Sequence, residues 1–383
     1  MNVLITTSIL PPEVGGPATY VPLLAEELAL RGHQITLIAP QIHRISLQDE
    51  NKHYRIIYYQ RAQYIRYINY LIELIRALSK ILSEGKKNDL LYSNGLDLAA
   101  SIGARILRKP IVIKVVGDPA WEFSYNRGLT KHNLEEFQQE RGLQINFIKW
   151  LFHLPFKKAD KIILPGYQHF KFLQEWGIPS EKIIVIYNAP SPPKSRLELA
   201  ANIRNMQGFN LFMAGRLIPL KRIDQVIDLV STIEDVNLII AGEGPLRESL
   251  AKKVDKLGLQ SRVHLLGSIS KELVWSLLCD YAQVLIINSV YETFPNIVLE
   301  ALTCGVPVIS TKVGGINEII QDRNNGILIP LDNPQCLADA IQLLKSDEVL
   351  RHKLAIQALQ SSKIFNVDTM VLKTEKILLG VIN

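Results

Sequence analysis

The sequence predicts an α/β protein made of two doubly wound parallel sheets, and three observations carry that expectation. The chain has 383 residues, more than one hydrophobic core usually supports. Short runs rich in Val, Ile and Leu alternate with longer helical patterns, as in strand, helix, strand units. The alternation lapses between Ala189 and Met206, where Pro190, Pro192 and Pro193 favour an extended connection over a packed element.

These features divide the chain into domains at 1–190 and 207–366, with a linker over 191–206. In the first domain strands are predicted at Asn2 to Thr7, Gln34 to Ala39, Asp89 to Tyr92, Ile111 to Val115, Lys161 to Leu164 and Ile183 to Ile186, with helices at Ala18 to Arg31 and Tyr64 to Leu82. The second series runs through Phe209 to Ala214, Val236 to Ala241, Val263 to Leu266, Val284 to Ile287 and Val306 to Ser310. Residues 367–383, helical over Asp368 to Leu379, follow the last strand with no sheet position to fill, so they are expected to cross back to the first domain.

Composition narrows the function classes. Apolar residues make up 48% and charged residues 21%, which excludes a disordered chain. The formal charge of +6 favours anionic partners such as nucleotide diphosphates, phospholipid surfaces or RNA. The apolar start Val3-Leu4-Ile5 has no basic residues before it and is soon closed by Pro11-Pro12, so it reads as a strand and not a signal peptide. No run of about 18 apolar residues exists to span a bilayer, so any membrane contact is expected to be peripheral. Cys279, Cys304 and Cys336 are odd in number and far apart, unlike a disulfide framework, and point to a reducing, cytoplasmic location.

The chemistry concentrates between Ser289 and Val308, which places Glu292 and Glu300 eight positions apart. Pro295 suits a helix start and Gly305 its end, so Glu292 is expected in the loop and Glu300 about two turns further along. Helical side chains lean toward the N-terminus, so both acids address one ligand at a helix start formed by Thr293, Phe294, Pro295 and Asn296. Carboxylates accept from neighbouring hydroxyls, which suits polyol recognition, and they repel phosphate. Glu300 is thus matched to a ribose and Glu292 to a transferred sugar.

This stretch, with the following Gly305-Val306-Pro307-Val308 and Gly314-Gly315-Ile316-Asn317-Glu318, resembles the Glu-x7-Glu signature of glycosyltransferase family 4. The resemblance implies the GT-B arrangement: two Rossmann-like domains facing a central cleft, the first binding the acceptor and the second the nucleotide sugar. It implies a retaining transfer to a glycan or lipid-linked acceptor, with no cofactor and no divalent metal. Glu292 would contact the donor sugar and Glu300 the ribose. Arg216 and Lys221, which follow the strand ending at Ala214, would meet the diphosphate. Gly242, in the turn after the next strand, would lie near the diphosphate and base.

In the first domain, the Gly15-Gly16 pair lies where the family carries a glycine loop, and glycine lets backbone approach a phosphate or sugar closely. Asp118 stands where relatives have His-Asp, but its preceding residue is Gly117, and Thr293 replaces a glycine common after the first acid. Asp118 also reads as a turn residue before Pro119.

Gly242-Glu243-Gly244-Pro245 lacks the third glycine of a nicotinamide fingerprint, which disfavours a dehydrogenase. Six tyrosines with Arg55, Arg61 and Arg66 between Tyr54 and Tyr70, and the mixture of apolar and basic residues between Phe147 and Lys161, fit either amphipathic docking to an anionic membrane or ordinary helix packing. Two further readings stay open: an epimerase or phosphorylase of the same architecture, and a nucleic-acid-binding module. The last is disfavoured because the charge is modest and no RNA-binding motif is present.

Overall fold

Parallel strands covered on both faces read as unbroken apolar runs, and Val236–Ala241 is buried at every position. The computed structural model describes every residue except 12, 14, 42–52, 62–65, 116 and 383, and every side chain among those except 66–68 and 202. The chain forms two units, one of Met1–Tyr187 with Asp368–Asn383 and one of Asn188–Val367.

The first unit holds β1 (Asn2–Thr7), β2 (Gln34–Gln41), β3 (Arg55–Gln60), β4 (Leu90–Asn94), β5 (Ile111–Lys114), β6 (Lys161–Leu164) and β7 (Ile183–Val185). They form one parallel sheet in the order β3-β2-β1-β4-β5-β6-β7. The second unit holds β8 (Phe209–Ala214), β9 (Val236–Ala241), β10 (Val263–Gly267), β11 (Val284–Ile287), β12 (Val308–Thr311) and β13 (Gly326–Ile329) in the order β10-β9-β8-β11-β12-β13. Each unit is Rossmann-like. Each sheet reverses its winding beside its first strand, between β1 and β4 and between β8 and β11, where diverging connections open a crevice at the carboxyl edge. Leu211, Leu238 and Ile286 of the second sheet are buried together with Val226, Ile227 and Val230 of the helix Ile223–Thr232.

Two strands were not expected, both at sheet edges. β3 pairs only with β2, and Tyr54 and Tyr59 are buried there while Arg55 pairs with Glu84 and Arg61 with Glu13. The tyrosine and arginine cluster is therefore in part an edge strand with its own ion pairs, not a stacking or docking helix; Tyr64 lies outside the described residues. The helix expected from Tyr64 runs over Arg66–Gly85. β13 is four residues long and opens on glycine. Residues 191–206 belong to the second unit and include a short helix, Ala201–Arg204. The helix Val367–Ile382 packs with the first unit from Asp368 onward, where Glu375 meets both Arg31 and His33.

The expectation of unpaired cysteines is overturned. Cys279, exposed in the helix Lys271–Asp280, is bonded to Cys304, which ends the helix Asn296–Thr303. These successive helices lie side by side, which brings residues 25 apart in sequence to a Cα–Cα distance of 5.0 Å. With this bond the cysteines do not point to a reducing compartment. Closing a loop of this size restricts the unfolded chain, so Cys279→Ser should lower stability by about 3 kcal/mol in urea unfolding without reductant. Equal stability of variant and parent under those conditions would show that the bond does not form in solution.

Candidate functional site

The carboxyl ends of β8 and β11 meet at the winding reversal of the second sheet. After β8 the chain continues as Gly215-Arg216-Leu217 and a short turn, Pro219–Lys221; after β11 it continues as Asn288-Ser289 to Glu292. Gly215, Arg216, Lys221, Asn288, Ser289 and Glu292 all line a small void of about 20 Å³, room for one water. Of these six, the sequence assigned roles to Arg216, Lys221 and Glu292, and none to Gly215, Asn288 or Ser289.

Glu292 is 7% exposed, and its two oxygens differ. Oε1 takes the Lys221 ammonium and a 2.6 Å hydrogen bond from Ser289 Oγ. Oε2 accepts no hydrogen bond among the described residues. An ammonium carries three donors, so Lys221 keeps two after meeting Glu292. Arg216 is exposed beside the pair and forms no ion pair among the described residues. The arrangement offers one open acceptor next to two cations, which is what a ligand with hydroxyls and phosphates requires.

Backbone contacts fix these loops. Leu217 N–H donates to Glu243 carbonyl at 2.9 Å, and Val290 N–H to Leu220 carbonyl at 2.8 Å. Gly242 has φ +141°, and a Cβ there would lie 1.8 Å from the Gly215 carbonyl oxygen. Gly314 has φ +51°, and a Cβ there would lie 1.9 Å from the Glu292 carbonyl oxygen. Both positions need glycine for conformation and for closeness, so Gly242 acts on the site through the loop it supports.

Glu300 is the fifth residue of the helix Asn296–Thr303, about one turn in and not two, and it does not line the void. Pro295 precedes the helix as its cap, and Asn296 Oδ1 accepts from Asn188 Nδ2 at 3.1 Å. Phe294 is buried edge-on against Phe365, which anchors the helix start, and Thr293 Oγ1 donates to Tyr291. Burial pushes the Glu300 carboxyl up to about 7, against a smaller opposing pull from the Lys271 ammonium. Lys271 was not singled out in the sequence, because nothing in its local pattern shows that its helix lies beside that of Glu300.

In the first unit, Gly15 caps the helix Gly16–Leu30, and a Cβ on it would meet the Ile9 side chain, whereas Gly16 faces open space. Asp118, expected at the reacting carbon, is fully buried. Its Oδ1 accepts from Ala120 N–H at 2.9 Å, Trp121 N–H at 3.2 Å and His153 Nε2 at 3.2 Å, and its Oδ2 from Gln138 Nε2 at 2.8 Å. Burial works to raise its pKa, yet the bonds from His153, Gln138 and the Trp121 N–H hold it below the ordinary carboxylate range. Asp118 thus caps the helix Pro119–Asn126 and presents no free oxygen. His153, from the helix Leu143–Lys158, meets Asp118 and stacks on Trp176 at 3.6 Å. His153, Trp176, Arg141, Lys149, Trp150 and Lys157 border a cavity of about 590 Å³. On the same helix, Leu143–Lys158, Ile148 and Phe156 are buried, while Leu143, Phe147 and Trp150 form an exposed row. No helix among the described residues is long and apolar enough to cross a membrane.

Residues 14–190 match the family model described as Glycosyltransferase Family 4, and residues 196–361 match Glycosyl transferases group 1. The chain is 27% identical over 375 residues to an uncharacterized glycosyltransferase of Methanocaldococcus jannaschii, covering 97% of this chain and 96% of that one. It is 27% identical over 235 residues, 61% of this chain and 63% of the other, to the N-acetylgalactosamine-N,N'-diacetylbacillosaminyl-diphospho-undecaprenol 4-alpha-N-acetylgalactosaminyltransferase of Campylobacter jejuni. Its fold is similar to that of Anabaena HepE in complex with UDP-glucose, with a TM-score of 0.78, 20% identity and coverage of 99% and 100% of the two chains.

The raised Glu300 makes stability depend on pH in a definite direction. The folded protein holds this proton more tightly than the unfolded chain, so the contribution is complete below pH 4.5 and lost as pH rises through about 7. Glu300→Gln removes that dependence, and at pH 8 it should gain up to about 3 kcal/mol on the parent relative to pH 4. Parallel stability curves for the two proteins would contradict this.

Proposed function

From a chain that belongs to glycosyltransferase family 4, we propose a retaining enzyme that moves a sugar from a UDP- or GDP-linked donor to a glycan or lipid-linked acceptor without a divalent metal. The observation that carries the reading is the open Oε2 of Glu292 beside Lys221 and Arg216 at the winding reversal of the second sheet. Glu292 Oε2 accepts from a hydroxyl of the donor sugar. Lys221 bridges Glu292 and a phosphate oxygen with separate N–H groups, and Arg216 takes the remaining diphosphate charge. Glu300 receives the ribose, the start of the helix Asn296–Thr303 adds backbone N–H groups, and the Gly242 turn borders the diphosphate and base.

In the reaction the bond from the anomeric carbon to the diphosphate breaks as the acceptor oxygen bonds to the same face, and the acceptor proton passes to the departing phosphate oxygen. Two fixed cations stabilise the charge on that leaving group, which is the part a metal plays elsewhere. Asp118 and His153 set the helix Pro119–Asn126 on the acceptor-binding unit, together with the Gly15-Gly16 loop. The likeness to a UDP-glucose complex and the diphospho-undecaprenol in the name of the Campylobacter relative support the donor and acceptor classes.

The acceptor class also suits peripheral contact with an anionic membrane. Leu143, Phe147 and Trp150 are 94%, 59% and 56% exposed at helical spacing, with exposed Lys157 and Lys158 at the helix end. Replacing the three apolar residues with Ser should abolish co-sedimentation with phosphatidylglycerol vesicles, and binding that survives the change would place the contact elsewhere. Donor screening with UDP- and GDP-sugars in the presence of chelator tests the chemistry. Transfer should persist with the product keeping the donor's anomeric configuration, and Arg216→Ala should cost about 100-fold or more in kcat/KM. A strict requirement for added metal, or an epimerised or phosphorolysed product, would overturn the reading.

A further inference from the structure

The cavity of about 590 Å³ in the first unit takes no part in the sugar transfer, yet three of the side chains that border it are buried and locked together. Gln138 Nε2 donates to Asp118 Oδ2 at 2.8 Å, and Trp176 Nε1 donates to Gln138 Oε1 at 2.9 Å. His153 closes the circuit, stacking on Trp176 while its Nε2 meets Asp118 Oδ1 at 3.2 Å. Capping the helix Pro119–Asn126 takes only the bonds from Ala120 and Trp121 N–H, so the cap does not account for the other three residues. A buried polar network whose members are partnered is rigid. Here it holds the His153 ring at the cavity, with Nδ1 making no hydrogen bond among the described residues.

The rest of the wall is cationic. Arg141, Lys149 and Lys157 border the cavity against one carboxylate, Glu175, which lies 3.9 Å from Lys171 one turn earlier on its own helix. Lys149 has all three donors in use, on the Phe137, Gln138 and Glu140 carbonyls where the helix Leu134–Gln139 ends. Arg141 Nη1 donates to the Gln138 and Glu140 carbonyls, which anchors the guanidinium and leaves Nη2 and Nε without a partner among the described residues. Lys157 is exposed and makes no hydrogen bond or ion pair among the described residues. An anchored guanidinium and an uncommitted ammonium on one wall suit a phosphate.

Leu143, Phe147, Trp150 and Lys157 follow helical spacing and share one stripe of the helix Leu143–Lys158. Trp150 belongs both to the exposed apolar part of that stripe and to the cavity wall. An apolar track thus leads to a cationic cavity, the outline of an anionic amphiphile. The volume, about 590 Å³, falls within the range of about 300–1,000 Å³ usual for small-molecule sites.

We propose that this cavity binds the phosphate ester of a long-chain lipid, with the phosphate between Arg141 and Lys157 and the chain along Trp150, Phe147 and Leu143. The proposal rests on the reading that the enzyme works at a lipid surface on a lipid-linked acceptor, and it gives that reading a headgroup site. One chemistry has two sources, the phosphate of the acceptor or that of a membrane phospholipid.

Trp150 and Trp176 border the cavity, so the indole fluorescence of the full chain reports its occupancy. The probes are geranyl phosphate, dihexanoyl phosphatidylglycerol, geraniol and inorganic phosphate, each kept monomeric in solution. The tighter of the two esters should bind at least about tenfold more strongly than geraniol and than inorganic phosphate. It also names the source, geranyl phosphate the acceptor and dihexanoyl phosphatidylglycerol the membrane. Lys157→Glu, on a side chain that holds nothing in the fold, should weaken that ester about tenfold or more. Lys80→Glu, the same charge change on an exposed lysine of the helix Arg66–Gly85, should leave it unchanged. Equal losses in the two variants, or esters bound no better than geraniol or inorganic phosphate, would overturn the proposal. Monomeric probes need no bilayer, so the two failures are told apart: absent vesicle sedimentation with ester binding intact would overturn the membrane contact alone, and vesicle sedimentation without ester binding would overturn the headgroup site alone.

Discussion

The meeting of Lys221 with Glu292 is the interaction on which the rest of the site depends, and it exists only because two loops from separate strands are held in backbone contact. β8 and β11 are neighbours in the sheet although they are three strands apart in sequence. The reversal of winding between them sends their following helices to opposite faces and leaves their loops side by side. Gly242 and Gly314 then press backbone against the carbonyls of Gly215 and Glu292, where any side chain would push the loops off. The ion pair joins groups whose side chains are 25% and 9% exposed, so its screening is partial and its geometry is set by the scaffold.

A carboxylate fully consumed by its protein partners is inert toward a ligand, and the two acids of the motif and the buried aspartate of the first unit illustrate three degrees of this. Asp118 has both oxygens occupied and serves the fold. Glu292 has one oxygen tied and one open, which orients the open one. The Glu300 carboxyl accepts no hydrogen bond among the described residues, and burial raises its pKa against the pull of a single cation. Chemical function follows the number of acceptor sites left over.

Much of this was legible in the sequence because it depends on local pattern. The apolar runs that became β1, β8, β9 and β11 were bounded to within a residue or two, since strands covered on both faces have no room for polar interruption. Glu292, Arg216 and Lys221 were legible because each lies in the loop that follows a strand ending at Ala214 or Ile287. What escaped was non-local. β3 and β13 lie at edges and hold only short apolar runs, Ile56 to Tyr59 and Ile327 to Ile329; the Cys279–Cys304 bond depends on two helices lying side by side; and His153 reaches Asp118 from 35 residues away. Ser289 left a fainter signal, a hydroxyl three residues before an acid in a loop that must fold back on itself.

The central claim is that Arg216 and Lys221 are there to receive a diphosphate. Calorimetric titration with the mono- and diphosphate of one nucleoside, uridine or guanosine, isolates that contribution, because the two ligands share base and ribose and differ by one phosphoryl group. The diphosphate should bind at least about tenfold more tightly, and Arg216→Ala should erase the difference while leaving monophosphate binding in place. Equal affinity for the two nucleotides in the parent protein would contradict the account.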